Sequence, residues 1–114
     1  MNDNVLRELS AVIESRKNMD EEGSYTCYLF KSGIDKILKK VGEECTETVI
    51  AAKNLKHGTG DKQSLVGEVA DLLYHLEVML SDVNVPVEDV LAELENRSLK
   101  TNNKKVFKTV DKNS

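Results

Sequence analysis

The 114-residue sequence has little proline, glycine and aromatic content: one proline, six glycines, no tryptophan and 4% aromatic residues. So little proline and glycine excludes a collagen-like or low-complexity chain, and the small aromatic content argues against a β-sandwich. No apolar run of about 18 residues occurs, which excludes a transmembrane helix. The opening residues, MNDNVLRELS, lack a basic start followed by an apolar stretch. We therefore expect no secretory signal.

Cysteine is equally scarce, and the two that occur, Cys27 and Cys45, form no CxxC pair. Two cysteines are too few for a disulfide framework, so we expect reduced thiols and a cytoplasmic protein. Sixteen basic and twenty acidic residues give a net charge of −4. This balance argues against general binding to a nucleic-acid backbone, although a local basic site for a small anion stays open. We expect neither a nucleic-acid nor a membrane partner.

The apolar residues recur with a helical period over almost the whole chain. They predict two long helices, which begin near Ile34 and Ser64 and are separated by the glycine-rich residues 57–61. Three shorter helices complete the pattern. One of these is expected to be capped by Ser24 and to stop near Gly33.

These helices predict an all-α domain over residues 1–98, built as a helical bundle of two long and about three shorter helices. Its apolar faces are wide for so short a chain, so we expect a homodimer to complete the bundle. Cys45 falls on the apolar face of the first long helix and is predicted to be a small core residue. Residues 99–114 are basic, polar and aperiodic, which predicts a disordered tail.

Four acidic residues fall on strips that flank the apolar faces of the two long helices. On a helical wheel of about 100° per residue, Glu44 and Glu47 lie together on the first long helix. Glu68 and Asp71 lie together in the same way on the second. Antiparallel packing of the two helices would make the pairs face each other. Glu43 falls opposite the apolar face, so we expect it to face water.

Carboxylates that face one another in a sheltered place repel by on the order of a few kcal/mol per pair. Protonation, separation into solvent or a bound cation would relieve this repulsion. Oxygen ligands suit Mg²⁺, and Lys40, one turn before Glu44, would suit a polyphosphate at such a site. Acidic pairs on helices are also common as plain solvated faces, and the spacing alone leaves both interpretations open.

The sequence also resembles a known family. The segments EECTE at 43–47 and EVAD at 68–71, twenty residues apart, resemble the EExxE…ExxD signature of the all-α nucleoside triphosphate pyrophosphatases, the MazG-like group. Residues 24–54, which include SYT, KKVGEE and IAAKN, and residues 67–80, which include ADLLYH, are similar to the phosphoribosyl-ATP pyrophosphohydrolases of histidine biosynthesis. The resemblance covers residues 5–97.

This resemblance implies an enzyme that needs Mg²⁺. Its reaction would be hydrolysis of the α–β phosphoanhydride of phosphoribosyl-ATP, which gives phosphoribosyl-AMP and pyrophosphate. No cysteine cluster for a fused cyclohydrolase domain occurs, so we expect a stand-alone domain. The catalytic and magnesium-binding residues implied by the signature are Glu44, Glu47, Glu68 and Asp71. The expected substrate-binding residues, from the matching segments and from the helical wheel, are Lys40, Lys53, Asn54, Tyr25, Thr26 and His75.

Two other interpretations stay open from the residues alone. The same fold and chemistry would serve a house-cleaning hydrolase of dUTP or of non-canonical nucleotides. A helical dimerisation module without activity would show the same periodicity, with its acidic strips merely solvated. A di-iron carboxylate bundle fits poorly because it requires Glu-x-x-His on two helices, whereas His75 lies four residues after Asp71.

Overall fold

The computed structural model describes residues 4–101, and the side chains of residues 4–98. Within this range the chain forms five helices and no strand, which confirms the predicted all-α fold with two long and three shorter helices. The last helix extends to Thr101, and the rest of the predicted tail, residues 102–114, lies outside the described residues. The helices are α1 (Val5–Arg16), α2 (Tyr25–Ser32), α3 (Ile34–Lys56), α4 (Lys62–Asp82) and α5 (Val87–Thr101).

Local capping residues explain where the central helices begin and end. The Ser24 side chain accepts a hydrogen bond of 3.1 Å from the Cys27 backbone N–H, which confirms the predicted cap of α2. Gly33 has φ of 97°, a conformation that favours glycine, and it turns the chain directly from α2 into α3. The Asp61 side chain accepts from the Ser64 N–H at 2.8 Å, so α4 begins at Lys62, slightly earlier than predicted.

The fully buried core is small and contains one residue from each of the first four helices. Ile13, Leu29, Ile37 and Val78 are at most 1% exposed. Helices α3 and α4 form an antiparallel hairpin, and α1 and α2 pack on the half of it that lies away from the turn at residues 57–61. The core therefore covers one end of the long hairpin, and no other helix of residues 4–101 packs on the end beside the turn.

Much of the predicted apolar face of the hairpin is exposed in the single chain. The prediction that Cys45 is a core residue is wrong: it is exposed, because it lies on a side of α3 that the described part of the single chain does not cover. Within residues 4–101, no helix is long and apolar enough to cross a membrane. The exposed large apolar residues of α3 and α4 are Leu38, Val49, Ile50, Val66, Val69 and Leu73.

Candidate active site

Three of the four predicted carboxylates meet where α3 and α4 face each other. One carboxylate oxygen from each of Glu44, Glu68 and Asp71 lies within 4.8 Å of the other two. We call these three residues the carboxylate centre. The Thr48 hydroxyl holds the helices together beside it, 2.7 Å from the carbonyl oxygen of Glu44 and 3.3 Å from that of Glu68. Glu44 is buried, whereas Asp71 is exposed, so the centre opens to solvent on one side.

The fourth predicted carboxylate, Glu47, adjoins the centre through Glu68. A hydrogen bond with Glu47, together with burial and the nearby charges of Glu47 and Glu44, raises the pKa of Glu68 to about 7. Two adjacent carboxylates resist simultaneous ionisation, so the charge of Glu47 favours the protonated form of Glu68. Glu47 itself is exposed and lies at the rim.

The donor set of the centre fits a hard divalent cation. One oxygen of Glu44 and one of Glu68, Oε2 in each case, are shielded from solvent and have no hydrogen-bond partner among the described residues. A buried carboxylate oxygen without a partner is costly unless a proton or a cation satisfies it. Carboxylate oxygens are the ligands that Mg²⁺ prefers, and an open side leaves room for water and phosphate ligands.

A lysine borders the carboxylate centre on α3, as the sequence predicted. The Nζ atom of Lys40 lies 3.3 Å from Oε2 of Glu43, and this hydrogen bond raises the pKa of Lys40. Glu43 keeps partial contact with water, as the wheel predicted, and also pairs with this lysine. Its side chain is 42% exposed and bends toward Lys40 and Lys39, three and four residues earlier, because residues at this spacing are neighbours on a helix.

The predicted residues Tyr25 and His75 form a chain of hydrogen bonds that reaches the centre. The Tyr25 hydroxyl lies 3.0 Å from Nε2 of His75, and Nδ1 of the same ring lies 2.8 Å from the backbone carbonyl oxygen of Asp71. The His75 side chain is buried. Tyr25 is also close enough to Lys40 and Glu44 for their charges to act on its hydroxyl, although burial is the main reason that its pKa is raised.

The other three predicted substrate residues lie farther from the three clustered carboxylates or are engaged elsewhere. The Thr26 hydroxyl bonds to the Tyr74 hydroxyl between α2 and α4. Asn54 lines an open cleft of about 370 Å³ together with Glu47 and Glu68. Lys53, on the same last turn of α3, is exposed and does not line this cleft. Their predicted roles in substrate binding stay predictions.

Sequence reasoning missed two residues that the structure places next to the predicted ones. The Tyr28 ring stacks beside that of Tyr25, with ring centroids 6.1 Å apart. The Lys36 ammonium lies 5.9 Å from the centre of the Tyr28 ring. Spacing was the available signal, since Tyr28 follows Tyr25 by one helical turn and Lys36 precedes Lys40 by one turn.

Comparison with known proteins agrees with this arrangement. Residues 6–98 match the family described as phosphoribosyl-ATP pyrophosphohydrolase. The chain belongs to this family. The match confirms the family resemblance seen in the sequence, and with it the assignment to an enzyme family. The match includes both acidic segments, because it spans the whole of α3 and α4.

Curated relatives of the family cover most of the chain. The chain is 55% identical over 93 residues to a phosphoribosyl-ATP pyrophosphatase of Listeria monocytogenes serotype 4a, a match that covers 82% of this chain and 84% of the relative. It is 50% identical over 101 residues to the phosphoribosyl-ATP pyrophosphatase of Clostridium acetobutylicum, covering 89% and 87%. It is also 55% identical over 93 residues to the histidine biosynthesis bifunctional protein HisIE of Halalkalibacterium halodurans, covering 82% of this chain and 42% of that protein.

Proposed function

We propose that this chain hydrolyses the α–β phosphoanhydride of phosphoribosyl-ATP, giving phosphoribosyl-AMP and pyrophosphate as a step of histidine biosynthesis. The observation that carries the proposal is the carboxylate centre of Glu44, Glu68 and Asp71, in a chain of the phosphoribosyl-ATP pyrophosphohydrolase family. The names of the curated relatives support the same substrate and pathway. A location in the cytoplasm is part of the proposal, in keeping with the two free cysteines.

The proposed cofactor is Mg²⁺. Glu44, Glu68 and Asp71 would hold it, with Glu47 at the rim as a fourth carboxylate. When bound, the ion supplies positive charge for the phosphate oxygens and for the leaving pyrophosphate. The orphaned buried oxygens of Glu44 and Glu68 favour a cation over the alternative that the acidic strips are merely solvated.

Residues of the chain would share the remaining work. Glu47, at the rim beside Glu68, would accept the proton of the attacking water as a general base. Lys40 would bind a phosphate oxygen beside the centre. His75 would fix the position of Asp71 through its backbone and of Tyr25 through its hydroxyl. The remaining proposed substrate contacts are Tyr25, Thr26, Lys53 and Asn54.

We also propose that two copies of the chain form a homodimer through the uncovered apolar face of α3 and α4. Val49 is 68% exposed, Ile50 53% and Leu73 41%, so the two long helices leave large apolar side chains in water. Pairing with a second copy would remove this surface from water. Light scattering on the purified protein should give twice the chain mass, and Val49→Lys should lower that mass. A monomeric wild-type protein would contradict the dimer.

Pyrophosphate release tests the proposed activity. The purified protein should release pyrophosphate from phosphoribosyl-ATP only with Mg²⁺, and faster than from dUTP, ATP or non-canonical nucleotides. Asp71→Asn and Glu47→Gln should each lower kcat by about 10²-fold, because the first removes a proposed magnesium ligand and the second the proposed base. Glu21→Gln, an exposed carboxylate in the loop before α2, is the matched control and should keep full activity. Preference for dUTP or a modified nucleotide would favour the house-cleaning alternative instead.

A further inference from the structure

Two tyrosines on α2 face two lysines on α3. The helices form a hairpin about Gly33, so residues one turn apart on α2 meet residues one turn apart on α3. Tyr25 lies near Lys40, close enough for the positive charge of the lysine to act on the tyrosine hydroxyl. Tyr28 lies beside the ammonium of Lys36. We call these four residues the tyrosine–lysine strip.

One end of the strip touches the carboxylate centre and the other leads away from it. Tyr25 is joined through His75 to the backbone of Asp71, a member of the centre. The Tyr28 ring continues from Tyr25 toward Gly33, with centroids 6.1 Å apart and planes inclined by 28°. Both residues are close to half exposed, 44% for Tyr25 and 49% for Tyr28, so neither is enclosed in the core.

The order of groups along the strip matches the order of groups in phosphoribosyl-ATP. That nucleotide carries its triphosphate at one end, the purine in the middle, and a second ribose with its own 5′-phosphate on the far side of the purine. A nucleic-acid base stacks on an exposed aromatic ring because both offer flat π faces. An ammonium group beside that ring, where Lys36 lies, would meet the second phosphate. The carboxylate centre lies at one end of the strip, and Tyr28 and Lys36 lie together at the other end.

We propose that Tyr28 and Lys36 hold the distal part of the substrate, with the Tyr28 ring against the purine and the Lys36 ammonium on the 5′-phosphate of the second ribose. This inference rests on the proposed function and adds to it the residues that select phosphoribosyl-ATP over ATP. ATP has the same triphosphate and purine but lacks the second phosphate. ATP therefore cannot make the contact that we propose between Lys36 and the phosphate of the second ribose.

Steady-state kinetics with saturating Mg²⁺ tests the inference on the full-length protein. Lys36→Met should raise KM for phosphoribosyl-ATP about tenfold, the equivalent of losing one charged hydrogen bond. The kcat value and the inhibition constant of ATP as a competitor should stay within twofold. Lys36→Arg should retain the wild-type KM. Tyr28→Leu should raise both KM and the ATP inhibition constant, whereas Tyr28→Phe should preserve them.

Lys31→Met is the matched control, since Lys31 is an exposed lysine on α2 that pairs with Asp20 instead. It should leave all constants unchanged. An unchanged KM in Lys36→Met, or an equal rise in Lys31→Met, would overturn the inference and leave the proposed function standing. A wild-type protein that releases no pyrophosphate from phosphoribosyl-ATP would overturn both. Circular dichroism spectra of the variants should match the wild type, because Tyr28 and Lys36 are not part of the buried core.

Discussion

Tyr25 and His75 come from helices that are far apart in sequence, yet the hydroxyl of one lies 3.0 Å from Nε2 of the other. The second ring nitrogen, Nδ1, lies 2.8 Å from the carbonyl oxygen of Asp71. A carbonyl oxygen can only accept, so Nδ1 carries a proton, and in the neutral ring Nε2 accepts the Tyr25 O–H. The orientation of Tyr25 is thus tied to the helix turn that carries Asp71.

Tyr25→Phe should break this connection while keeping the ring. The Nε2 atom of His75 then loses its donor inside the fold, which costs about 1 kcal/mol. We expect a melting temperature lower by a few degrees and a kcat/KM for phosphoribosyl-ATP lower by about fivefold. Thermal melts followed by circular dichroism and a pyrophosphate assay measure the two effects. A variant indistinguishable from the wild type in both would show that this hydrogen bond has no consequence.

Magnesium should stabilise the folded chain, because an ion in the carboxylate centre relieves the repulsion among Glu44, Glu68 and Asp71. A ligand at 100 times its dissociation constant adds about 2.7 kcal/mol to the free energy of unfolding. Asp71→Asn should raise the melting temperature without metal and abolish the rise caused by Mg²⁺. Glu21→Gln should respond to Mg²⁺ like the wild type. Equal magnesium effects in both variants would place the ion elsewhere.

Magnesium binding should weaken as the pH falls. Because the pKa of Glu68 is raised to about 7, its carboxyl is largely protonated below that pH and must lose its proton before it binds a cation. The affinity should fall from pH 8 to pH 6, and binding at pH 7 should release protons. Isothermal titration calorimetry in buffers of different ionisation enthalpy counts these protons. An affinity that is constant over this range would contradict the assignment of Glu68 as a ligand.

Glu77 should make the fold less stable as the pH rises. Its side chain is 5% exposed, both oxygens have no partner within the described part of the chain, and desolvation raises its pKa from 4.5 to about 7. The folded state therefore holds a proton that the unfolded state has lost between pH 4.5 and pH 7. The free energy of unfolding falls across this window, by up to about 3 kcal/mol once the pH exceeds 7.

Urea unfolding of the wild type and Glu77→Gln at pH 5 and pH 8 isolates this contribution. The variant should gain stability relative to the wild type as the pH rises, because glutamine does not ionise. Glu95→Gln, an exposed carboxyl on α5, is the matched control and should show no such gain. A difference between wild type and Glu77→Gln that does not change with pH would show that Glu77 stays ionised in the fold.

The positions of the metal-binding candidates could be predicted because helical spacing is rigid. Glu68 and Asp71 lie three residues apart, and Glu44 lies opposite them as soon as two antiparallel helices are joined by a short turn. No tertiary detail beyond the hairpin is needed. The pairing of Glu43 with Lys40 could not be predicted in this way, since a wheel assigns a direction to the Cβ atom and not to a flexible carboxylate.

The buried face of α4 could not be predicted from its apolar pattern. The most buried side chains of α4 include Glu77, Val78 and Ser81, which face α1 and α2, whereas Leu73 on the predicted apolar stripe is 41% exposed. Polar residues on this face are buried because specific partners or protons satisfy them. Ser81, for example, bonds to Glu14 of α1. Periodicity carries no information about such partners. The exposed apolar residues that it marks on α4, such as Leu73, form surface suited to a second copy of the chain.

The placement of the whole carboxylate centre within a single helical hairpin has a kinetic consequence. The turn at residues 57–61 joins α3 to α4 over a short loop, and contacts between segments close in sequence form early in folding. The negative charges are therefore brought together before α1 docks from the other end of the chain. A divalent ion that screens them would lower the barrier to refolding, so magnesium should accelerate the folding limb of a chevron plot and leave the unfolding limb nearly unchanged.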